Sequence, residues 1–155
     1  MKLSGGIKAK DTCRLISISM RYLSIDYGKK RMGLAVCDPT ETITSPLDVI
    51  SNDEGLIKRI KQLIEVEKIG AIVLGLPFNM DGTAGPQAKA VKKFARQLKK
   101  QIKIPIHFQD ERLSSFAAEE KLAEFEISKK AKKERLDAVA AAGILDVFLE
   151  NKKRR

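Results

Sequence analysis

Asp26, Glu111 and Asp137 are the residues around which a chemistry can be built. Asp26 closes the apolar run Tyr22–Ile25 and is followed by Tyr27, Gly28 and the cations Lys29, Lys30 and Arg31. An acid at a strand's carboxyl end, beside a glycine turn, suits either a metal or phosphate site or a turn aspartate bonded to its own backbone. Glu111 repeats that placement within Gln109-Asp110-Glu111-Arg112. There the alternative is a surface acid that pairs with Arg112 or caps the next helix. Asp137 lies in the last helical segment. At about 100° per residue it falls inside the apolar stripe of Leu136, Ala140, Ile144, Val147 and Phe148, with Asp146, Ala142 and Glu150 opposite. A carboxylate facing a core needs an ionic partner or a bound cation. Converging at one end of a sheet, the three acids would form an oxygen-only site for a hard cation, Mg²⁺ or Mn²⁺. Such sites hydrolyse phosphodiesters without His or Cys.

The composition agrees with that chemistry. The chain has 155 residues, a single His (His107) and two Cys (Cys13 and Cys37). Zinc sites with several His or Cys ligands and disulfide scaffolds are therefore excluded, and a His-based triad is a poor fit. His107 lies in a strand and reads as structural, and Cys37 as a small buried apolar residue. Thirty Lys and Arg against twenty Asp and Glu give a net charge of +10. A domain this basic meets a polyanion. The charge is clustered: Lys29, Lys30 and Arg31 follow Asp26, and Lys129, Lys130, Lys132, Lys133 and Arg135 precede Asp137. Lys89, Lys92, Lys93, Arg96, Lys99 and Lys100 share a segment that contains no acid. With no Trp and 5% aromatics, recognition through backbone and shape is expected rather than base stacking. No apolar stretch approaches the ~20 residues of a membrane span, and the N-terminus lacks a signal-peptide core. The expected compartment is the cytoplasm.

The elements that must carry these residues follow from periodicity. Residues 1–19 read as a loose extension, with Met20 a second candidate start. One domain is expected over 20–150 and a basic tail over 151–155. Strands are expected at 15–25 (best defined over 21–25), 32–37, 42–50, 71–76 and 104–108. Pro46 puts the third at an edge or bulge. Helices are expected from Asn52 or Asp53 to Gly70, over 86–102, from Ser114 or Ser115 to Phe125, and over 133–150. The Pro77–Gly85 connection leads to a helix N-terminus, whose free N–H groups can meet an anion, and it lacks the Gly-Lys-Ser or Gly-Lys-Thr of a P-loop. A meander feeding strand–helix–strand units gives an α/β fold. Its mixed five-stranded sheet is flanked by helices and binds ligands at the carboxyl ends of its parallel strands.

Four segments, in order, resemble the YqgF family: Asp26-Tyr27-Gly28-Lys29-Lys30-Arg31-Met32-Gly33; Gly75-Leu76-Pro77 through Asn79, with Asp81-Gly82-Thr83 and Gly85; Asp110-Glu111-Arg112-Leu113-Ser114-Ser115; and Asp137 with Ala140-Ala141 and Ile144-Leu145. The resemblance covers residues 20–149. It implies a ribonuclease H-like fold and a metal-dependent nuclease that processes the 5′ end of 16S rRNA precursors in ribosome biogenesis. It also implies catalytic, metal-holding roles for Asp26, Glu111 and Asp137. Lys30, Arg31, Asn79, Arg112, Ser114, Lys132 and Lys133 are the expected nucleic-acid contacts. Two alternatives stand beside it: a Holliday junction resolvase acting on four-way DNA, and a non-catalytic RNA-binding, transcription or ribosome-assembly factor. The chain is expected to act as a monomer or homodimer. Many ribonuclease H-like proteins carry an acid near the strand that here reads Gly75-Leu76-Pro77, so the count of metal ions stays open between one and two.

Overall fold

A computed structural model describes residues 20–79, 81–110 and 129–154, without the side chains of 129–135. The strands are β1 (Tyr22–Asp26), β2 (Arg31–Cys37), β3 (Thr44–Ser51), β4 (Ala71–Leu76) and β5 (Ile106–Asp110). The described helices are α1 (Leu56–Val66), α2 (Pro86–Gln101) and α3 (Lys129–Lys153). The strands form one sheet in the order β3-β2-β1-β4-β5. β1, β2 and β3 pair antiparallel, while β4 lies parallel to β1, and β5 to β4. This is the expected mixed sheet. β3 is an edge strand, and its register slips opposite Leu34 and Ala35, so that Leu47 is the extra residue next to Pro46.

Side-chain alternation divides the sheet into two faces. Leu23, Ile25, Met32, Leu34, Val36, Ile72, Leu74 and Leu76 pack with Leu56 and Ile60 of α1 and Ala88, Val91, Phe94, Ala95 and Leu98 of α2. Burying each of the larger of these side chains is worth about 1.5–3 kcal/mol. The other face carries smaller residues. Tyr22, Ala71 and Val73 meet Ile144, Leu145 and Leu149 of α3, and Ala35 meets Ala141 and Ala142. Ser24 is fully buried there, and its hydroxyl donates to the Ala141 carbonyl at 2.5 Å.

Several boundaries differ from the sequence reading. α1 starts at Leu56 after Gly55; Asp53 accepts the Gly55 N–H at 2.9 Å, and Asn52 serves a neighbouring turn instead. β5 runs two residues later than expected because it follows the register of β4, with Ile72 opposite Ile106 and Leu76 opposite Asp110. α3 begins at Lys129 rather than Lys133 and continues through Lys153, so the first three residues of the expected tail are helical. The extension over 1–19 and the helix expected over 114–125 lie outside the described residues.

The packing face of α3 also differs. Ile144 of the expected stripe is buried, but so are Ala138, Val139, Ala141, Ala142, Leu145 and Leu149, while Leu136 is 38% exposed. Ala142, expected toward solvent, is in the core. Asp146 is half-buried and accepts the Thr44 hydroxyl at 2.5 Å. The wheel reading assumed that the largest apolar side chains mark the core. Here the sheet offers Gly33, Ser24 and Ala35, so small residues face small residues and the helix backbone comes close.

Candidate active site

Asp26 is the last residue of β1. Tyr22 and Ser24 point toward α3, so Asp26, two residues on, lies on the same face. Its partner across the antiparallel ladder is Gly33. A Cβ added to Gly33 would overlap the Asp137 carbonyl and crowd the Ala138 nitrogen. α3 therefore rests directly on Gly33 at Asp137. The spacing closes the argument. From Ser24 to Asp26 the strand advances about 6.6 Å, and from Ala141 back to Asp137 the helix advances about 6 Å. With Ser24 bonded to Ala141, Asp26 and Asp137 stand at one level, at the carboxyl end of β1.

Asp137 sits at the rim of the helix interface rather than in the core. Its side chain is 28% exposed and pairs with the Nε of Arg31. The desolvation argument for a core-facing carboxylate is thereby corrected: Asp137 shares its side of α3 with the buried Ile144 and the half-buried Phe148, but its own side chain stays partly exposed and ion-paired. Of the two partners the sequence left open, an ion pair and a cation, the first is seen. Arg31, an expected phosphate contact, is engaged by a candidate acid. Asp26 too has interaction partners.

The turn that carries Asp26 is held from three sides. Gly28 has no room for a Cβ because the Arg31 carbonyl occupies that place. Asn52 donates from its side chain to the Gly28 carbonyl and from its backbone to the Lys30 carbonyl, both at 2.9 Å. Gln87, in the first turn of α2, donates to the Tyr27 carbonyl at 3.2 Å. The Tyr27 ring lies 5.3 Å from Phe94 of α2. Lys29 and Lys30 remain exposed beside the acid. Sequence reasoning assigned no role to Asn52 or Gln87 here; both are ordinary polar residues whose partners are distant in the chain, which leaves no local signal.

The loop after β4 is closed on itself. Asn79 accepts the Gly82 N–H at 2.8 Å, donates its own N–H to Thr83 at 2.9 Å, and its amide donates to the Thr83 hydroxyl at 3.0 Å. Asp81 accepts the Thr83 hydroxyl at 2.6 Å and its N–H at 2.9 Å, which holds the Asp81 carboxyl below its ordinary range. Asn79 thus shapes the loop at the N-terminus of α2.

Asp26 and Asp137 fit a hard divalent cation: both offer carboxylate oxygens, and Asp137 already draws positive charge from Arg31. Among the described residues no group of three His, Cys, Asp or Glu is placed to hold a metal. Glu111, Arg112 and Ser114 lie outside those residues, as do the side chains of Lys132 and Lys133. Cys37 has the buried place expected of it, and His107 lies in β5 as expected, on an exposed position. His107 lies 5.3 Å from the Phe148 ring, and Cys37 is buried, with its sulfur 3.3 Å from the Tyr22 N–H.

Residues 20–151 match the sequence profile of the family described as RuvX, Holliday junction resolvase. The chain belongs to the RuvX family. A relative from Maridesulfovibrio salexigens, named "Putative pre-16S rRNA nuclease", is 40% identical over 132 residues, covering 84% of this chain and 98% of the relative. A relative of the same name from Syntrophomonas wolfei is 41% identical, covering 84% and 94%. Among solved structures, Thermus thermophilus RuvC in complex with a Holliday junction substrate aligns with a TM-score of 0.55 at 15% identity, over 86% of this chain and 96% of that one. The fowlpox virus resolvase with junction DNA gives 0.53 at 13% identity, over 86% and 99%. These two likenesses are of fold and agree with the ribonuclease H-like class. Family and relatives make this RuvX chain a nuclease, a hydrolase of phosphodiester bonds.

Proposed function

We propose that this RuvX protein is an endonuclease dependent on Mg²⁺ or Mn²⁺ that cuts structured RNA, acting on the 5′ end of pre-16S rRNA in the cytoplasm. The observation that carries the reading is the level shared by Asp26 and Asp137 across Gly33, at the carboxyl end of β1. Asp26, Asp137 and Glu111 are the acids that would hold the cation. Bound there, the cation supplies Lewis-acid charge and activates water as the nucleophile. The chain's own contribution is rigidity and charge. Strand pairing fixes Asp26, the close approach of α3 fixes Asp137, and Lys30 and Arg31 bring positive charge to the turn that carries Asp26. The Arg31 guanidinium can serve either Asp137 or an incoming phosphate. Arg112 and Ser114, adjoining Glu111 in sequence, are the further phosphate contacts in this reading, with Lys132 and Lys133 of α3. The names of the relatives support the RNA substrate.

The test is cleavage of a structured RNA that bears a 16S 5′ leader, with Mg²⁺ or Mn²⁺. Asp26→Asn, Glu111→Gln and Asp137→Asn are expected each to lose cutting while still binding the RNA. The family description favours a second reading, resolution of four-way DNA junctions, so a junction is run alongside. A resolvase makes paired cuts and should be a two-fold dimer. RNA bound equally by wild type and variants, with neither substrate cut, would overturn the catalytic reading in favour of a binding factor.

A further inference from the structure

The outer face of α2 is the largest single-signed feature among the described residues. Lys89, Lys92, Lys93, Arg96, Lys99 and Lys100 are all exposed, and the helix contains no acid. On a wheel the six fall within an arc of about 120°, opposite the buried Ala88, Val91, Ala95 and Leu98. No ion pair joins any of them to another described residue. Arginines and lysines elsewhere do find acids: Arg21 with Glu67, Arg59 with Asp53, Lys152 with Glu41. Lys100 is the least isolated, since it shares a groove of about 430 Å³ with Asp53 and Glu54. The other five do not line that groove. The row from Lys89 to Lys100 rises about 16 Å, the axial span of roughly five phosphates on one strand of a duplex.

We propose that this face docks a double-helical arm of the nucleic-acid substrate through its phosphate backbone. The inference rests on the nuclease reading and adds where the rest of the substrate is held. Two observations favour a duplex. The only aromatic side chain in α2, Phe94, is buried in the core, so the face has no platform on which to stack single-stranded bases. The cations are carried on one continuous 16-residue helix, whose regular spacing suits a regular backbone. The surface is also tied to the chemistry. Gln87, one half-turn before Lys89, bonds the carbonyl of Tyr27, the residue next to Asp26. α2 lies on the opposite side of the sheet from Asp137. The arm it holds is therefore a part of the substrate remote from the scissile strand, reached over the Lys29–Lys30 turn.

The test is binding of an RNA hairpin, and of a single strand of equal length, in EDTA across a salt series. The triple variant Lys92→Gln, Arg96→Gln, Lys99→Gln is compared with wild type and with Lys92→Arg, Lys99→Arg, which keeps the charge. For the hairpin, the triple variant is expected to reduce the magnitude of the slope of log affinity against log salt by about 2.7 and to weaken binding at least tenfold near ~0.1 M salt. The Arg variant is expected to keep both. Cleavage of the structured 16S-leader RNA at saturating concentration should keep its kcat in all three. An unchanged slope and affinity in the triple variant would overturn the proposal. So would an equal loss for hairpin and single strand. Asp26→Asn separates the two readings: if it binds the hairpin normally and still cuts RNA, the catalytic assignment fails while the docking face stands.

Discussion

The backbone carbonyl of Asp137 occupies the place where a side chain on Gly33 would begin. That one contact sets the height of α3 above the sheet and brings Asp137 beside Asp26, the ladder partner of Gly33. Gly33→Ala must push α3 away or twist β2. Overpacking of this kind costs about 1–3 kcal/mol, and for a chain of this size each kcal/mol lowers Tm by roughly 2–4 °C. The expected result is a fall in Tm of roughly 2–12 °C. Cleavage should fall further than the folded fraction does, because the two acids separate even in molecules that stay folded. Calorimetry and single-turnover cleavage on the same sample check both parts.

If Asp137 holds the proposed cation, Arg31 competes with that cation for it. The guanidinium already satisfies one carboxylate oxygen, so a metal ion must displace or share that contact. Arg31→Gln is expected to tighten Mn²⁺ binding several-fold in calorimetric titration, with Asp137→Asn as the control that abolishes the gain. The same variant should raise KM for RNA, since a phosphate contact is lost. Unchanged Mn²⁺ affinity would show that Arg31 and the cation use different oxygens of the site.

How much of this was legible in the sequence depends on the range of the signal. β4 and α2 were readable to within a residue, since the continuous apolar run 71–76 and the helical spacing of Ala88, Val91, Phe94, Ala95 and Leu98 are local patterns. Asp26 was readable because a strand end and a Gly turn adjoin in sequence. Asp137 was found for a reason the structure corrects. Its place on the wheel suggested a core carboxylate, whereas it stands at the rim and pairs with Arg31. That error arose from weighting Leu136 and Phe148 above the alanines. Which face of a helix packs depends on the size of the residues it meets, and Gly33, Ser24 and Ala35 lie more than a hundred positions away. The anchors Asn52 and Gln87 were illegible on the same ground.

Cys37 is expected to be chemically quiet in the folded protein. Burial pushes its thiol up from the ordinary value, outweighing the hydrogen bond from the Tyr22 N–H. The thiolate fraction at neutral pH is then small, and access is blocked. In a Cys13→Ser background, one thiol should react with Ellman's reagent only after denaturant is added. Rapid labelling of the native protein would place Cys37 at the surface and contradict its packing at the base of β2.

Asp38 makes the β2–β3 loop sensitive to acid. Its carboxylate accepts the Thr42 N–H at 2.7 Å and the Ile43 N–H at 2.8 Å, and it bonds the Thr40 hydroxyl. These bonds, led by the Ile43 N–H, hold its pKa down from 3.8 to about 2. A depressed carboxylate contributes stability that is present above its unfolded pKa and lost as pH falls through the folded one. The loop is also tied to the end of α3 by Lys152 and Glu41 at 2.7 Å. Asp38→Ala should therefore lower Tm by a constant amount from neutral pH down to about 4. The gap from wild type should then narrow as pH falls from 3.8 to about 2, where the wild-type carboxylate also becomes protonated. Thermal melts of the two proteins across that range provide the check. A gap that stays constant to pH 2 would mean that the charged form of Asp38 is not what holds the loop.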